Sequence, residues 1–212
     1  MNVIVIGAGI LGAATAYQLA KKGVDVTIID RDDRGQATAV AAGMICPWIS
    51  QRRNKAWYKL VKNGAKFYPE LVEQLKELVT VDIGYKRVGA LSIDWNMEKL
   101  DKTEERVRKR YEDAPEIGEI RRLSPAQAKE FVPIIAEYGA VYVSGAARVN
   151  GKALRDALLQ AAMKLGASFI QGDATLTFTK QKVDGVVVNG EKKEADRVIV
   201  TAGAWARTLI KP

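Results

Sequence analysis

Val3–Ile6 form an unbroken apolar run within residues 2–7 (NVIVIG), which predicts a strand buried on both faces, as in a parallel sheet. Ala13–Lys22 predict a helix lined with small residues, and Val24–Ile29 a second buried strand that ends at Asp30. Residues 31–50 lack periodicity and read as a loop, with a short helix through Ala37–Ala42. Residues 54–78 read as a helix interrupted or re-angled near Pro69, with Leu71, Val72, Leu75 and Leu78 as its apolar stripe. Val88–Ile93 predicts a strand, Met97–Tyr111 a charged helix, and Ser124 the cap of a short helix starting at Pro125. Val141–Val143 is a short strand. Asn150 caps an amphipathic helix carrying Leu154, Leu158, Ala161, Ala162 and Leu165 on one face and ending at Gly166. Ser168–Ile170, Ala174–Phe178 and Val183–Val188 read as strands, with Asp184-Gly185 and Asn189-Gly190 as turns. Arg197–Thr201 is a final apolar strand running into Ala202-Gly203-Ala204-Trp205.

A βαβ opening, a long interruption, then a helix and further strands describe a discontinuous domain. The expected layout is one α/β unit from residues 1–80 and 146–212, with a more antiparallel unit, 81–145, inserted into it.

The opening unit also carries chemistry. Gly7, Gly9 and Gly12 form G-x-G-x-x-G between a strand and a helix. Gly7 permits the tight turn, Gly9 lets the backbone approach a pyrophosphate, and Gly12 allows the helix to pack on the strand. The helix start then offers unpaired N–H groups and a positive dipole end to phosphate. Asp30 lies 18 residues beyond Gly12, close to the spacing of about 20 expected for an acid that binds a ribose hydroxyl pair. A carboxylate there repels a 2′-phosphate and so argues against NADP. The competing reading, three glycines serving packing alone, explains neither the acid nor its spacing.

Composition narrows the remaining classes. The 212 residues are 48% hydrophobic and 27% charged, an ordinary globular profile. The single cysteine, Cys46, rules out an internal disulfide and fits a reducing compartment. No basic n-region with a small-residue cleavage site and no run long enough to span a bilayer is read, so a cytoplasmic protein without a transmembrane segment is expected. The net charge is +8, with basic clusters at Gln51–Lys55 and Glu104–Arg122. In the second cluster Glu104 precedes Arg108 and Glu105 precedes Lys109 by four, the pattern of a solvated helix face. Nucleic-acid binding lacks aromatic interleaving and a motif. The chain has no histidine, which removes a Ser-His-Asp triad, a His-ligated metal and a His general base; no metal site is expected.

Together the GAGILG turn at 7–12, Asp30-Arg31, AAGMICPW at 41–48, RVNGKALRDAL at 148–158 and VIVTAGAWA at 198–206 resemble the D-amino acid oxidase/dehydrogenase family of flavoproteins, which includes glycine oxidase, sarcosine oxidase and D-amino acid dehydrogenase. The resemblance runs through the whole chain. It implies a Rossmann-like FAD-binding domain, a parallel sheet with helices plus a β-meander, with an inserted and incomplete α+β substrate domain. It implies FAD as cofactor, with Gly7, Ala8, Gly9, Ile10, Leu11 and Gly12 at the pyrophosphate, Asp30 at the adenosine ribose and Arg31 on the adenine side. Thr38, Ala42, Gly43 and Met44 would approach the ribityl chain and flavin ring, the backbone near Thr175 would touch adenine, and Thr201, Ala202 and Gly203 would pass the cofactor on the closing strand. Hydride would pass from the Cα–H of a small-molecule amine or amino acid, of the glycine or D-amino acid type, to the flavin, and hydrolysis of the imine would follow. No catalytic residue is assigned. Cys46 reads as an inert small residue, Trp48 and Trp205 as core or pocket walls, and Arg52 and Arg53 as surface charge.

The family has a further C-terminal portion, carrying the arginine that clamps the substrate carboxylate, whereas this chain stops at Lys211-Pro212. A truncated form is therefore expected, lacking full activity and leaving a face for self-association or a partner. A nicotinamide-dependent dehydrogenase, a non-catalytic dinucleotide-binding module and half of a two-chain enzyme are the alternatives.

Overall fold

A computed structural model of the chain describes residues 1–210; Lys211 and Pro212, the end of the expected α/β unit, lie outside the described residues. The chain opens with β1 (Asn2–Ile6), α1 (Ile10–Lys21) and β2 (Asp25–Asp30), then a 3-10 turn (Ala37–Val40), β3 (Met44–Ile45), a second 3-10 turn (Pro47–Ile49) and α2 (Lys55–Leu78). It continues through β4 (Lys86–Arg87), β5 (Ala90–Asp94), α3 (Met97–Tyr111), β6 (Ile120–Leu123), α4 (Pro125–Phe131), β7 (Gly139–Val143) and β8 (Ala147–Arg148). It closes with α5 (Gly151–Lys164), β9 (Ser168–Gln171), β10 (Ala174–Thr179), β11 (Lys182–Val188), β12 (Glu191–Glu194), β13 (Arg197–Val200), a 3-10 turn (Gly203–Trp205) and α6 (Ala206–Ile210).

These elements form two compact units. The first comprises Met1–Ala42, Glu73–Ile83 and the residues from Asn150 onward; the second comprises Gly43–Val72 and Gly84–Val149. Residues 43–72, grouped by sequence with the first unit, cluster with the second. The reason is local: β3 pairs with β8, and Trp48 is 2% exposed in a core with Val107, Ile117 and Val143.

In the first unit a four-stranded parallel sheet runs in the order β13-β1-β2-β9. Its centre, β1, is fully apolar from Val3 to Ile6 because both its faces are covered. Ala13, Ala16 and Ala20 of α1 and Ala157, Ala161 and Ala162 of α5 are buried, and these small side chains let the two helices pack closely. Asn150 caps α5 by accepting from the Ala153 N–H at 3.0 Å, as the sequence predicts. The meander β10-β11-β12 packs Ala174, Val186 and Val188 against Ile4, Ile6 and Ile29.

The meander departs from expectation at one turn. Lys180 and Gln181 make the β10–β11 turn, with φ of 50° and 64°, and Asp184-Gly185 lies inside β11. Asp184 is satisfied there by the hydroxyls of Thr177 at 2.5 Å and Thr179 at 2.6 Å and by Lys192 at 3.1 Å, so its side chain has no need of a turn. The expected Asn189-Gly190 turn is present, both residues having positive φ.

In the second unit β5-β7-β6 form an antiparallel sheet and β3-β8-β4 a small one. The helix α2 is not interrupted: it runs as one segment through Pro69. Proline removes one intrahelical bond; anchoring on either side, by Tyr58 and Ala65 before it and Leu71, Val72 and Leu75 after it, holds the helix together. Among the described residues no helix is long and apolar enough to cross a membrane.

Candidate cofactor site

A cleft of about 990 Å³ opens at the C-terminal ends of β1, β2 and β13 in the first unit, the place where an open α/β sheet binds ligands. Its walls include Gly7, Gly9, Ile10, Leu11, Asp30, Arg31, Thr38, Thr175, Thr201, Ala202 and Gly203.

The three motif glycines are there for three different reasons. Gly7 has φ of 103°, and a Cβ on it would lie 2.6 Å from the Thr201 carbonyl oxygen. At Gly12 a Cβ would lie 1.8 Å from the Gly7 carbonyl oxygen, so this glycine is fixed by backbone packing against backbone. Gly9 is different. Its φ is −64° and its ψ 179°, which any residue adopts, and a Cβ would meet only Thr38 Oγ1, at an ordinary 3.6 Å. Nothing in the folded chain demands glycine at position 9, and a side chain there would occupy the cleft. Close approach of a ligand to the backbone explains it.

The donors around Gly9 match a diphosphate. The first N–H groups of a helix have no intrahelical acceptor. The Ile10 N–H donates to Thr38 Oγ1 at 3.0 Å, and the Ala13 N–H to the Gly9 carbonyl at 2.9 Å. This leaves the Leu11 amide and the Thr38 hydroxyl proton, both on the cleft wall, for an anion at the positive end of α1. Among the described residues Arg31 is the only cation lining the cleft, and it is engaged by Asp33 at 2.5 Å and Asp173 at 3.4 Å. The bond to Asp33, joined by the charge of Asp173 and opposed by partial desolvation, leaves the guanidinium with a raised pKa. Among the described residues the groups left to meet phosphate charge are backbone N–H at the start of α1, the Thr38 hydroxyl and the helix dipole.

Asp30 ends β2 on the same wall. Its Oδ2 accepts from the Ala8 N–H at 2.6 Å and its Oδ1 from the Asp32 N–H at 2.7 Å. An ionised carboxylate has about four acceptor positions, so two remain for a ribose diol while the first two hold the side chain in place. With Asp33 and Asp173 nearby, this end of the cleft is acidic and unsuited to a 2′-phosphate.

The structure does not bring every predicted residue to the cleft. Ala8 is buried, with its amide turned to Asp30, and Gly12 packs behind the turn. Ala42 is exposed away from the cleft wall. Gly43 and Met44 belong to the second unit; Gly43 has φ of 66° and abuts the Val149 carbonyl, and Met44 is 80% exposed. Conversely, Leu176 and Phe178 line the cleft and were not assigned. Their two-residue alternation along β10 is the signal that marks them. Trp205 is a wall of this cleft, and Trp48 is core, each within its expected role.

A family model described as FAD dependent oxidoreductase matches residues 2–212. The chain belongs to the FAD dependent oxidoreductase (DAO) family. Within it, an uncharacterised oxidoreductase, YurR, of Bacillus subtilis (strain 168) is 57% identical over 212 residues, covering all of this chain and 57% of that protein. The crystal structure of iminodiacetate oxidase from Chelativorans sp. BNC1 superposes with a TM-score of 0.93 at 39% identity, over 98% of this chain and 56% of that one. Glycine oxidase from Geobacillus kaustophilus superposes with a TM-score of 0.81 at 27% identity, over 98% and 56% respectively. The chain thus spans a little over half the length of these relatives. FAD is the cofactor of the family, which sets aside the nicotinamide alternative. The helix start, Thr38 and Asp30 fit its diphosphate and adenosine ribose.

Proposed function

We propose that the protein oxidises a small amino acid or secondary amine whose nitrogen is attached to a carboxylate-bearing CH₂. Support comes from the 0.93 TM-score and 39% identity to iminodiacetate oxidase, joined to the diphosphate- and ribose-matched cleft. Glycine and iminodiacetate share that N–CH₂–COO⁻ unit. Bound FAD supplies the acceptor for the two electrons of the C–H bond. The remaining balance is simple: the nitrogen gives up a proton, the C–N bond becomes an imine, and water converts it to an oxo acid and an amine.

The residues described here act on the cofactor rather than on the C–H bond. The Leu11 amide and the Thr38 hydroxyl would hold the diphosphate, Asp30 the ribose, and Arg31 the rim on the adenine side, with Gly12 packing behind the turn that presents them. Ala42, Gly43 and Met44 stand as the reading for the flavin side, with Thr175, Ala202 and Gly203 along the nucleotide. The lack of histidine is no obstacle, since an amine substrate that is neutral at nitrogen needs no separate imidazole base. A placement in the cytoplasm rests on the single cysteine, which fits a reducing compartment.

The test is anaerobic. The purified protein, with its flavin identified after denaturation, is mixed with glycine, sarcosine, iminodiacetate, D-alanine or D-proline. Bleaching of the flavin absorbance by the N–CH₂–COO⁻ compounds is expected. A flavin-loaded protein bleached by none of the five would refute the substrate class and leave the cofactor assignment standing.

A further inference from the structure

Arg155 of α5 reaches across 119 residues of sequence to the 3-10 turn at Ala37–Val40. Its side chain is only 16% exposed. One guanidinium nitrogen, Nη1, donates to Gln36 Oε1 at 3.3 Å, and the other, Nη2, pairs with Asp156 at 2.7 Å. Asp156 is also paired with Lys152, at 2.8 Å, so its one charge cannot neutralise both cations. The Nε of Arg155 is buried and has no hydrogen-bond partner among the described residues.

Gln36 connects this cation to the cleft. It lines the cleft and immediately precedes the turn, and its carbonyl accepts from the Ala39 N–H at 3.1 Å. Thr38 lies inside the loop so closed, its Oγ1 accepting from the Ile10 N–H at 3.0 Å. The start of α5 also abuts the turn: a Cβ on Gly151 would lie 3.0 Å from the Thr38 carbonyl oxygen and 3.6 Å from the Ala41 Cβ. Thr38 is thus held by α1 through its side chain and by α5 through its backbone and Gln36, all within the first unit.

We propose that Arg155 is a positioning residue for the cofactor: through Gln36 it fixes the turn that presents the Thr38 hydroxyl to the FAD diphosphate. This rests on the diphosphate reading of the cleft. A tether serving the fold alone has no use for a charge. A neutral amide would bridge to Gln36 Oε1 without desolvating a guanidinium or leaving a buried N–H unmet, both of which cost stability. The positive charge has the sign that a diphosphate favours. Among the described residues the cleft wall includes Gln36 but not Arg155, so the arginine acts on the ligand through the turn.

The experiment is a double-mutant cycle read by FAD titration of the whole chain. Arg155→Met should raise the FAD dissociation constant about tenfold, the lower end for losing a charge-assisted hydrogen bond. In a Thr38→Val background the same change should add less than about threefold, because both residues act through one contact. Arg155→Lys, which keeps a donor for Gln36, should recover most of the affinity. A tether serving the fold alone would instead multiply the dissociation constant equally in both backgrounds, and that result would overturn the proposal. So would normal FAD binding by Arg155→Met beside a weakened Thr38→Val, which leaves the diphosphate reading standing. Normal FAD binding by Thr38→Val would overturn both. If Arg155→Met does not fold, Gln36→Leu cuts the same link with the charge left in place and reads the same coupling to Thr38.

Discussion

Thr201 and Gly7 hold each other in place from both sides. The Thr201 hydroxyl donates to the Gly7 carbonyl oxygen over 2.8 Å, sharing its proton with the Ile6 carbonyl at 2.9 Å. In return, the bare Cα of Gly7 lets the Thr201 carbonyl pass where a Cβ would lie 2.6 Å away. Thr201→Val keeps the shape and removes the hydroxyl, so the expected loss is about 1 kcal/mol of stability, the usual net value of one such bond. Urea denaturation with and without FAD measures it; the cofactor-loaded protein should show the larger loss, because Thr201 also lines the cleft.

The glycines at positions 9 and 12 should behave oppositely. Gly12→Ala forces a Cβ against the Gly7 carbonyl and should cost about 1–3 kcal/mol or more in the cofactor-free protein, as overpacking does. Gly9→Val should leave thermal unfolding of the cofactor-free protein within about 1 kcal/mol, the scale of a helix-cap change. Its flavin affinity should nevertheless collapse, because the side chain fills the diphosphate position. Normal FAD titration of Gly9→Val would contradict the assignment of the cradle.

Asp30 has two duties that one pair of variants separates. Asp30→Ala removes the acceptor for the Ala8 and Asp32 amides as well as the ribose contact, and should weaken FAD binding by about 1.5–3 kcal/mol, or roughly 10–150-fold. Asp30→Asn keeps one acceptor oxygen and should retain more of the stability than of the affinity. Fluorescence titration against calorimetric melting reads the two quantities independently.

Burial pushes the Cys46 thiol up to about 11, against smaller opposing contributions from the backbone amides of Ile49 and Trp48. The unfolded thiol ionises near 8.5. The folded chain therefore keeps a proton that the unfolded chain loses, and the associated stability is complete below about pH 8.5 and is lost as pH rises through about 11. Denaturant midpoints should fall across that interval, and Cys46→Ala should flatten the fall. At neutral pH a disulfide reagent should modify folded Cys46 far more slowly than a free thiol.

Much of this was legible in the sequence because the signals were local. The apolar Val3–Ile6 run, the glycine spacing and the Asn150 and Ser124 caps each carry their meaning within a few residues, and Ser124 indeed forms a reciprocal capping box with Gln127. What escaped was set from a distance. β12 is Glu-Lys-Lys-Glu, with no apolar alternation at all, and becomes a strand because β11 offers it an edge. β6 contains two adjacent arginines and is a strand because it pairs with β7. Asp184-Gly185 has turn chemistry by composition, but two threonine hydroxyls across the hairpin take up the carboxylate. Among the site residues, Gly9 was readable from the motif, whereas Leu176 and Phe178 required knowing which face of β10 turns toward the nucleotide.

The parallel pairing of β1 with β13 joins residues nearly the full described chain apart, Val3 with Arg197 and Ile6 with Val200. The first strand leaves the ribosome early but must wait for its neighbour until about two hundred residues have followed. Contacts of such long sequence separation form slowly. The Gly7 turn, closed on one side by Thr201, therefore waits for β13 to join the sheet before the diphosphate end of the cleft takes its shape.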